Sequence, residues 1–400
     1  MRIDTLSLFS ILKSCFVTEM KKSTFLRLRR INKGLLLLHC GSWIQNLLFE
    51  LFSKGEPFIP MSIEESEKIL AEKYCDVKSS AIRNNKIVSQ DVDLQIIIPV
   101  YKTEKFLRKC IDSVLNQKTQ YSFKIVVVND GSPDRSGEIL REYESDDRVI
   151  VYTQENKGLS GARNTALKEI FAKYITFIDS DDQLPQGSIE AMLDAAIRYN
   201  ADIVQGSYEN VTMEGKKTSS CICKLNSNAT PPEMKGFPWG KVYKSEIFKN
   251  ICFPEKYWFE DTNGAMLLVP IAKRLVTIPS IVYYYTTTNP GSITNSIYGN
   301  PKSIDTFYVT RAMLDDQQKL KDKGIDFYYP VEMMLNQISI NWQRTFALGL
   351  EYESAIFILT CDLYNKYFSE SSLTDSRYLN LYKSLKNKDF NIYRRECAFL

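Results

Sequence analysis

Three aspartates, Asp179, Asp181 and Asp182, fall within four residues at the end of the apolar run ITFI. Carboxylates this close raise one another's pKa and cost stability unless a cation sits among them. The stretch therefore reads either as a solvated acidic turn or as a site for a divalent cation and a phosphate. In an Asp-x-Asp one carboxylate can reach a metal and leave the other for metal or sugar. Hard oxygen donors of this kind fit Mg²⁺ or Mn²⁺. A second acidic pair, Glu260-Asp261, stands between Phe259 and Thr262. Spacing alone also allows that pair to be an N-terminal cap for a helix expected over 263–273. The chain has a single histidine, His39, far in sequence from both acidic groups. Zinc sites built on histidine, Ser-His-Asp triads and Cys-His dyads are excluded near them, and proton transfer falls to a carboxylate.

These residues need elements to hold them. Apolar, β-branched runs at 94–100, 123–128, 148–153, 174–178 and 201–208 read as buried strands. Between them lie helical patterns over 103–116, 136–143, 160–172 and 187–199. The first helix turns Leu107, Cys110, Ile111, Val114 and Leu115 inward; the third turns Ala166, Leu167, Ile170 and Phe171 inward. Strands without polar alternation, separated by helices, predict a parallel sheet covered on both faces. Such sheets bind ligands outside the carboxyl ends of their strands. Those ends carry Pro99-Val100-Tyr101, Asn129-Asp130-Gly131-Ser132, the run from Asn156 to Asn164, and the aspartates. The first strand is followed by PVYKTEK, with no glycine, so neither a dinucleotide fingerprint nor a P-loop is present. A bound pyrophosphate would need another counter-charge, which a cation on Asp179 and Asp181 supplies. Farther on, 209–236 reads as an excursion or hairpin, a helix starts near Ser245, and 277–285 reads as an edge strand. From about Pro301 the pattern is helical, with loops near Gly324 and Tyr329.

PVYKTEKFLRKCIDSVLNQ, VVVNDGSPDRSGEIL, ENKGLSGARN and TFIDSDD occur in this order. Together they resemble the nucleotide-binding half of the inverting glycosyltransferases of family 2, of the bacterial cell-surface polysaccharide type. The resemblance covers roughly 94–298. It implies an α/β chain with the GT-A, nucleotide-diphospho-sugar transferase fold: a mostly parallel central sheet with N- and C-terminal helical extensions. It implies that Pro99, Tyr101 and Asp130 line the nucleobase and ribose pocket, and that Lys157 and Arg163 flank the nucleotide and its phosphates. Asp181 would be the metal ligand on the diphosphate, with Asp179 beside it nearer ribose or sugar; Asp182 is read as a loop or capping residue. FPWGKVY (237–243) and WFEDT (258–262) resemble the acceptor side. There Trp239 and Lys241 would meet the acceptor, and Asp261 would be the general base, with Glu260 the second choice. Trp239 is equally readable as core. The chain departs from relatives at Lys157-Gly158, at Thr262, and in TTTNPGSI (286–293), which lacks the basic residue usual there.

The implied reaction moves a sugar from a nucleotide-diphosphate donor, UDP-linked, to a hydroxyl of a glycan or lipid-linked glycan, with Mn²⁺ or Mg²⁺. The alternative is a catalytically silent sugar-nucleotide or glycan-binding subunit of a membrane-associated assembly complex. A nucleotidyltransferase is disfavoured because its glycine-rich loop is missing. A net charge of +3 over 400 residues gives no reason to expect nucleic acid. That charge is uneven: residues 1–60 hold nine Lys or Arg against four Asp or Glu. Basic residues from Lys21 to Lys33 precede an interrupted apolar run, too broken to span a bilayer. Residues 20–54 fit an amphipathic helix on a membrane surface, or one packed on the chain's own core or a partner; a true start at Met20 or Met61 is the other reading. The expected organisation is an N-terminal extension and linker over 1–92, a transferase domain over 93–298 and a helical region over 299–400. Nine scattered cysteines without a C-x-x-C pair read as reduced thiols. The expected location is the cytoplasm, peripheral on the cytoplasmic face of the membrane.

Overall fold

The computed structural model describes residues 58–289 and 297–400. The membrane-surface reading of 20–54 lies outside them. The chain divides into an α/β unit, Val77–Ser292 with Tyr308–Tyr329, and a helical unit formed by the other described residues.

The first described helix, α1 (Ile63–Lys73), belongs to the helical unit and begins with a capping box. Ser62 and Glu65 exchange side chain-to-backbone hydrogen bonds there, satisfying N–H groups the helix cannot.

In the α/β unit the elements run β1 (Lys86–Val100), α2 (Leu107–Leu115), β2 (Phe123–Asp130), α3 (Ser136–Arg141), β3 (Val149–Gln154), α4 (Gly158–Ala166), β4 (Glu169–Phe177), α5 (Ser188–Arg198) and β5 (Ile203–Val211). Then come β6 (Lys217–Cys221), β7 (Asn226–Ala229), β8 (Lys241–Lys244) and β9 (Leu275–Thr286). The sheet order is β3-β2-β1-β4-β8-β5-β9-β7, with β6 paired on β5. β1, β2, β3 and β4 pair in parallel, as do β5 and β9. β8 lies antiparallel between β4 and β5.

Leu94–Val100 of β1 is buried at every residue, as expected of a strand covered on both faces. α2 buries Leu107, Cys110, Ile111 and Val114, the stripe its spacing predicts. Each such aliphatic side chain contributes roughly 1.5–3 kcal/mol by leaving water.

Three local expectations are corrected. β1 starts at Lys86, inside the stretch read as a linker, because 86–87 pair with Glu169 and Ile170 before the ladder shifts register. The same pairing takes Ile170 and Phe171 out of the expected helix, which ends at Ala166. β9 is not the edge strand, since β7 pairs on its far side. The helix expected over 263–273 is present over 262–271, with a π-helical stretch, Gly264–Leu268, running into an α-turn at Val269–Ile271.

The helix α6 (Asp305–Asp322) follows, then α7 (Val331–Thr345), α8 (Leu350–Phe368), α9 (Leu379–Asn387) and α10 (Phe390–Phe399). In the helical unit α1 packs on α8, and Phe58 packs on Phe357 and Phe390 at 5.9 and 5.0 Å between ring centroids. One buried carboxylate there is Glu353, which accepts from Trp342 Nε1 and from Arg394 Nε. Among the described residues no helix is long and apolar enough to cross a membrane.

Candidate active site

The carboxyl ends of β1, β2 and β3 bring their loops together. Asp130, the last residue of β2, is buried, and its Oδ1 accepts from Gln154 Nε2 at 2.6 Å and from the Lys157 amide at 2.8 Å. Gly131 has φ +63° and comes so close to the next loop that an added Cβ would lie 3.0 Å from the Asn156 nitrogen. A side chain there would push the two loops apart. Lys102 N–H donates to Ser132 Oγ at 2.8 Å, tying the Tyr101 loop to the same edge. Tyr101 is exposed, its ring available for stacking, and the Lys157 side chain is exposed as well. Pro99 is buried within β1, opposite Val128.

Next to this edge β4 delivers the aspartates. Asp179 is partly open, and its Oδ1 accepts from Arg163 Nη2 at 2.7 Å. Asp181 accepts at 2.7 Å from the neutral amide of Asn289. Burial, and then the neighbouring Asp179, push the Asp181 carboxyl up. Among the described residues no cation pairs with Asp181. A half-buried carboxylate raised by a second carboxylate, with a neutral partner, is a donor set that fits a divalent cation. No third His, Cys, Asp or Glu among the described residues completes a cage. That also fits Mg²⁺, which is commonly held by one or two carboxylates plus substrate phosphates.

Asp182 lies in the loop after β4, as expected, and has a buried structural role there. Its carboxylate is buried, accepting from Tyr283 Oη at 2.8 Å and from Thr286 N–H at 2.7 Å. Tyr283 Oη in turn accepts from the Asp179 amide at 3.0 Å. Thr286 Oγ1 donates to the Asp181 carbonyl at 2.7 Å. The end of β9 thus grips the whole acidic loop. Tyr283, Thr286 and Asn289 were missed as site residues. The available signal was the aromatic run VYYYT leading into this loop, and an amide just beyond the strand.

Arg163 departs most from expectation. It is 1% exposed, with both terminal nitrogens committed: Nη2 to Asp179, and Nη1 to Glu260 at 2.7 Å. It is therefore not an open cation flanking a phosphate, because its charge is already shared by two carboxylates. It also brings Glu260 into reach of the donor-side loop. Burial pushes the Glu260 carboxyl up, to about 7, while Arg163 pulls the other way. Asp261, the next residue, is partly open to solvent, whereas Glu260 is not.

The turn carrying this pair is closely packed. An added Cβ on Gly264 would lie 1.9 Å from the Gly236 carbonyl oxygen, so the 236–240 loop sits directly on it. That loop explains a second correction. Trp239 is buried, its ring stacked 3.7 Å from Phe237 and 4.5 Å from Tyr283 between centroids. It supports the tyrosine that holds Asp182 and is not open to a sugar. Lys241 is fully buried and donates to the Phe237 carbonyl at 2.6 Å. Burial pulls its ammonium down to about 7. It cannot touch an acceptor from there.

Residues 95–253 match the family described as Glycosyl transferase family 2. Glycosyltransferase GlyA of Streptococcus pneumoniae is 35% identical over 213 residues, 49% of this chain and 30% of its own length. Glycosyltransferase GlyG of the same organism is 30% identical over 216 residues, 48% of this chain and 70% of GlyG. The chain thus spans under a third of GlyA. Residues 1–349 of S. aureus TarS, crystallised in complex with UDP-GlcNAc, superpose with a TM-score of 0.59 at 20% identity, covering 76% of this chain and 89% of that one. At that identity the likeness establishes the GT-A-type fold. By its match to GlyG and its family span, the chain belongs to glycosyl transferase family 2.

Proposed function

We propose that this protein transfers a sugar from a UDP-linked donor to a hydroxyl of a glycan or lipid-linked glycan in cell-surface polysaccharide assembly, with inversion at the anomeric carbon. The observation that carries the proposal is the Arg163 bridge. One buried guanidinium holds a carboxylate of the Asp-x-Asp loop and a carboxylate of the Glu-Asp pair, so donor-side and acceptor-side groups share one anchor. A binding-only module, the alternative reading, has no need for both sets.

In this mechanism Tyr101, Asp130 and the Lys157 loop receive the nucleoside. Asp181, with Asp179 beside it, would hold Mn²⁺ or Mg²⁺. The cation, when bound, offsets charge on the leaving diphosphate. Asp261 takes the proton of the attacking hydroxyl, which one-step displacement requires of a single base. Glu260 serves as the anchor of the turn, because a carboxylate committed to Arg163 and shielded from solvent is poorly placed to meet an acceptor. The UDP-GlcNAc complex of TarS supports a UDP donor.

The test is a panel of nucleotide-sugars incubated with the protein and Mn²⁺ or Mg²⁺, with release of the nucleoside diphosphate measured with and without chelator. Metal-dependent release from one UDP-sugar is expected. Binding of UDP-sugars without turnover of any, in the presence of glycan acceptors, would favour the silent subunit.

A further inference from the structure

The turn bearing Glu260-Asp261 lies beyond residue 253, where the family match ends, and two of the segments that brace it, 79–85 and α6, also lie outside that match. On one side runs the strap 79–85, read from sequence as linker. The Cys252 amide donates to the Ala81 carbonyl at 2.8 Å, and the Arg83 and Asn85 amides donate to the Asn250 and Lys249 carbonyls at 3.1 and 2.9 Å. Asn85 Nδ2 donates to the Phe248 and Ile251 carbonyls at 2.7 and 2.9 Å. The Glu255 amide donates to Ser79 Oγ at 2.8 Å. The strap therefore accompanies the chain from 248 to 255.

From there the hold passes to the turn itself. Asn263 Nδ2 reaches back to the Cys252 carbonyl at 2.8 Å, beside the residue that pairs with Ala81. From the other side Gln317 Nε2, on α6, donates to the Met266 carbonyl at 2.6 Å. Next to Gln317 is Asp316, 1% exposed. Its two oxygens accept from Ser80 Oγ at 2.9 Å each, and Oδ2 accepts from the Ala81 amide at 2.7 Å. Lys319 Nζ completes the set at 2.9 Å.

We infer that Asp316 is a positioning residue for the acceptor-side turn: it locks the 79–85 strap to α6, and these together fix the segment 248–266 that presents Asp261. A buried carboxylate with three donors is costly to disturb, and removal of its charge leaves Ser80 and Ala81 less firmly held. The inference rests on the proposed function for what the turn does, but the brace itself is a statement about the chain alone. It also explains how a turn with a π-helical step, rather than a regular helix, keeps a defined position.

The test compares Asp316→Asn and the milder Ser80→Ala with the wild-type chain by amide hydrogen exchange, UDP affinity with Mn²⁺, and UDP release from UDP-GlcNAc. The expected result is faster exchange in the strap 79–85 and in 248–266, with β2 and β4 peptides unchanged and UDP affinity within about twofold. UDP release should fall by about 10²-fold, as expected when a reacting group is misplaced by about 1 Å. Unchanged exchange in 248–266 would overturn the inference. So would exchange rising equally through the α/β unit, or UDP affinity and release falling together, since either marks a merely structural role. If the wild-type chain releases no UDP, the donor reading fails while the exchange result still decides the brace.

Discussion

The two halves of the central sheet are assembled by different means. On the donor side β1, β2, β3 and β4 lie side by side in parallel, and each binding loop follows directly from its own strand. On the acceptor side the order is β8-β5-β9, and the working turn hangs between β8 and β9. It is held by contacts more than a hundred residues away in sequence: Asn85 with Phe248 and Ile251, and Ser80 and Ala81 with Asp316. The proposed nucleotide-binding loops are thus set by local strand-loop motifs. Presentation of the proposed base, Asp261, depends on long-range packing.

The largest effects should separate the halves by the step they lose. Asp261→Asn is expected to lower transfer by about 10²–10⁴-fold, the range for a lost general base, while UDP affinity stays unchanged. Asp181→Ala should lower metal-dependent donor turnover by about 10²–10³-fold and weaken Mn²⁺-dependent UDP binding as well. Transfer rates and calorimetric UDP titrations distinguish the two. Near-normal transfer by Asp261→Asn would place the base elsewhere.

Arg163 joins the halves, so its loss should damage both. Arg163→Met leaves Asp179 and Glu260 without their shared cation in a buried position. Loss of one partner from such a group costs about 3–5 kcal/mol, readable by denaturant unfolding. Adding Glu260→Gln to Arg163→Met should restore part of that stability without restoring transfer. If the single variant unfolded like the wild type, the bridge would not be a stabilising link.

The same contrast governs what the sequence could reveal. The donor half was legible because an apolar strand ending in polar residues is a local pattern, and β2, the α2 stripe and the Asp179 loop all obey it. The burial of Asp182 was not legible because its partners, Tyr283 and Thr286, are about a hundred residues away, and no local rule marks a loop carboxylate as buried. Trp239 and Lys241 were misread for a related reason. An aromatic and a lysine beside a turn look like ligand contacts until β8 is inserted between β4 and β5. The strap 79–85 looked like linker because its hydrogen bonds go to a distant segment and its composition is polar.

The smallest expected effect concerns Lys241, which belongs to the core of the acceptor half. An unfolded lysine keeps its proton to about pH 10.4, whereas burial brings folded Lys241 down to about 7. Between these values the unfolded chain binds more protons than the folded one, so this residue makes stability rise with pH. Below about pH 7 both states are protonated and its contribution is flat, at its least favourable. One proton accounts for at most about 1.4 kcal/mol per pH unit. Lys241→Met should remove that slope while the donor half is untouched. The measurement is the difference in unfolding free energy between wild type and variant at pH 6, 7, 8 and 9, which cancels the buried tyrosines and cysteines common to both. The curves should run parallel from pH 6 to 7, and the wild type should then gain on the variant. Parallel curves up to pH 9 would mean that Lys241 keeps its proton in the fold. In that case the Phe237 carbonyl and ring, 2.6 Å and 4.3 Å from Nζ, stabilise a buried ammonium. That outcome would make the acceptor half a charged core rather than a neutral one.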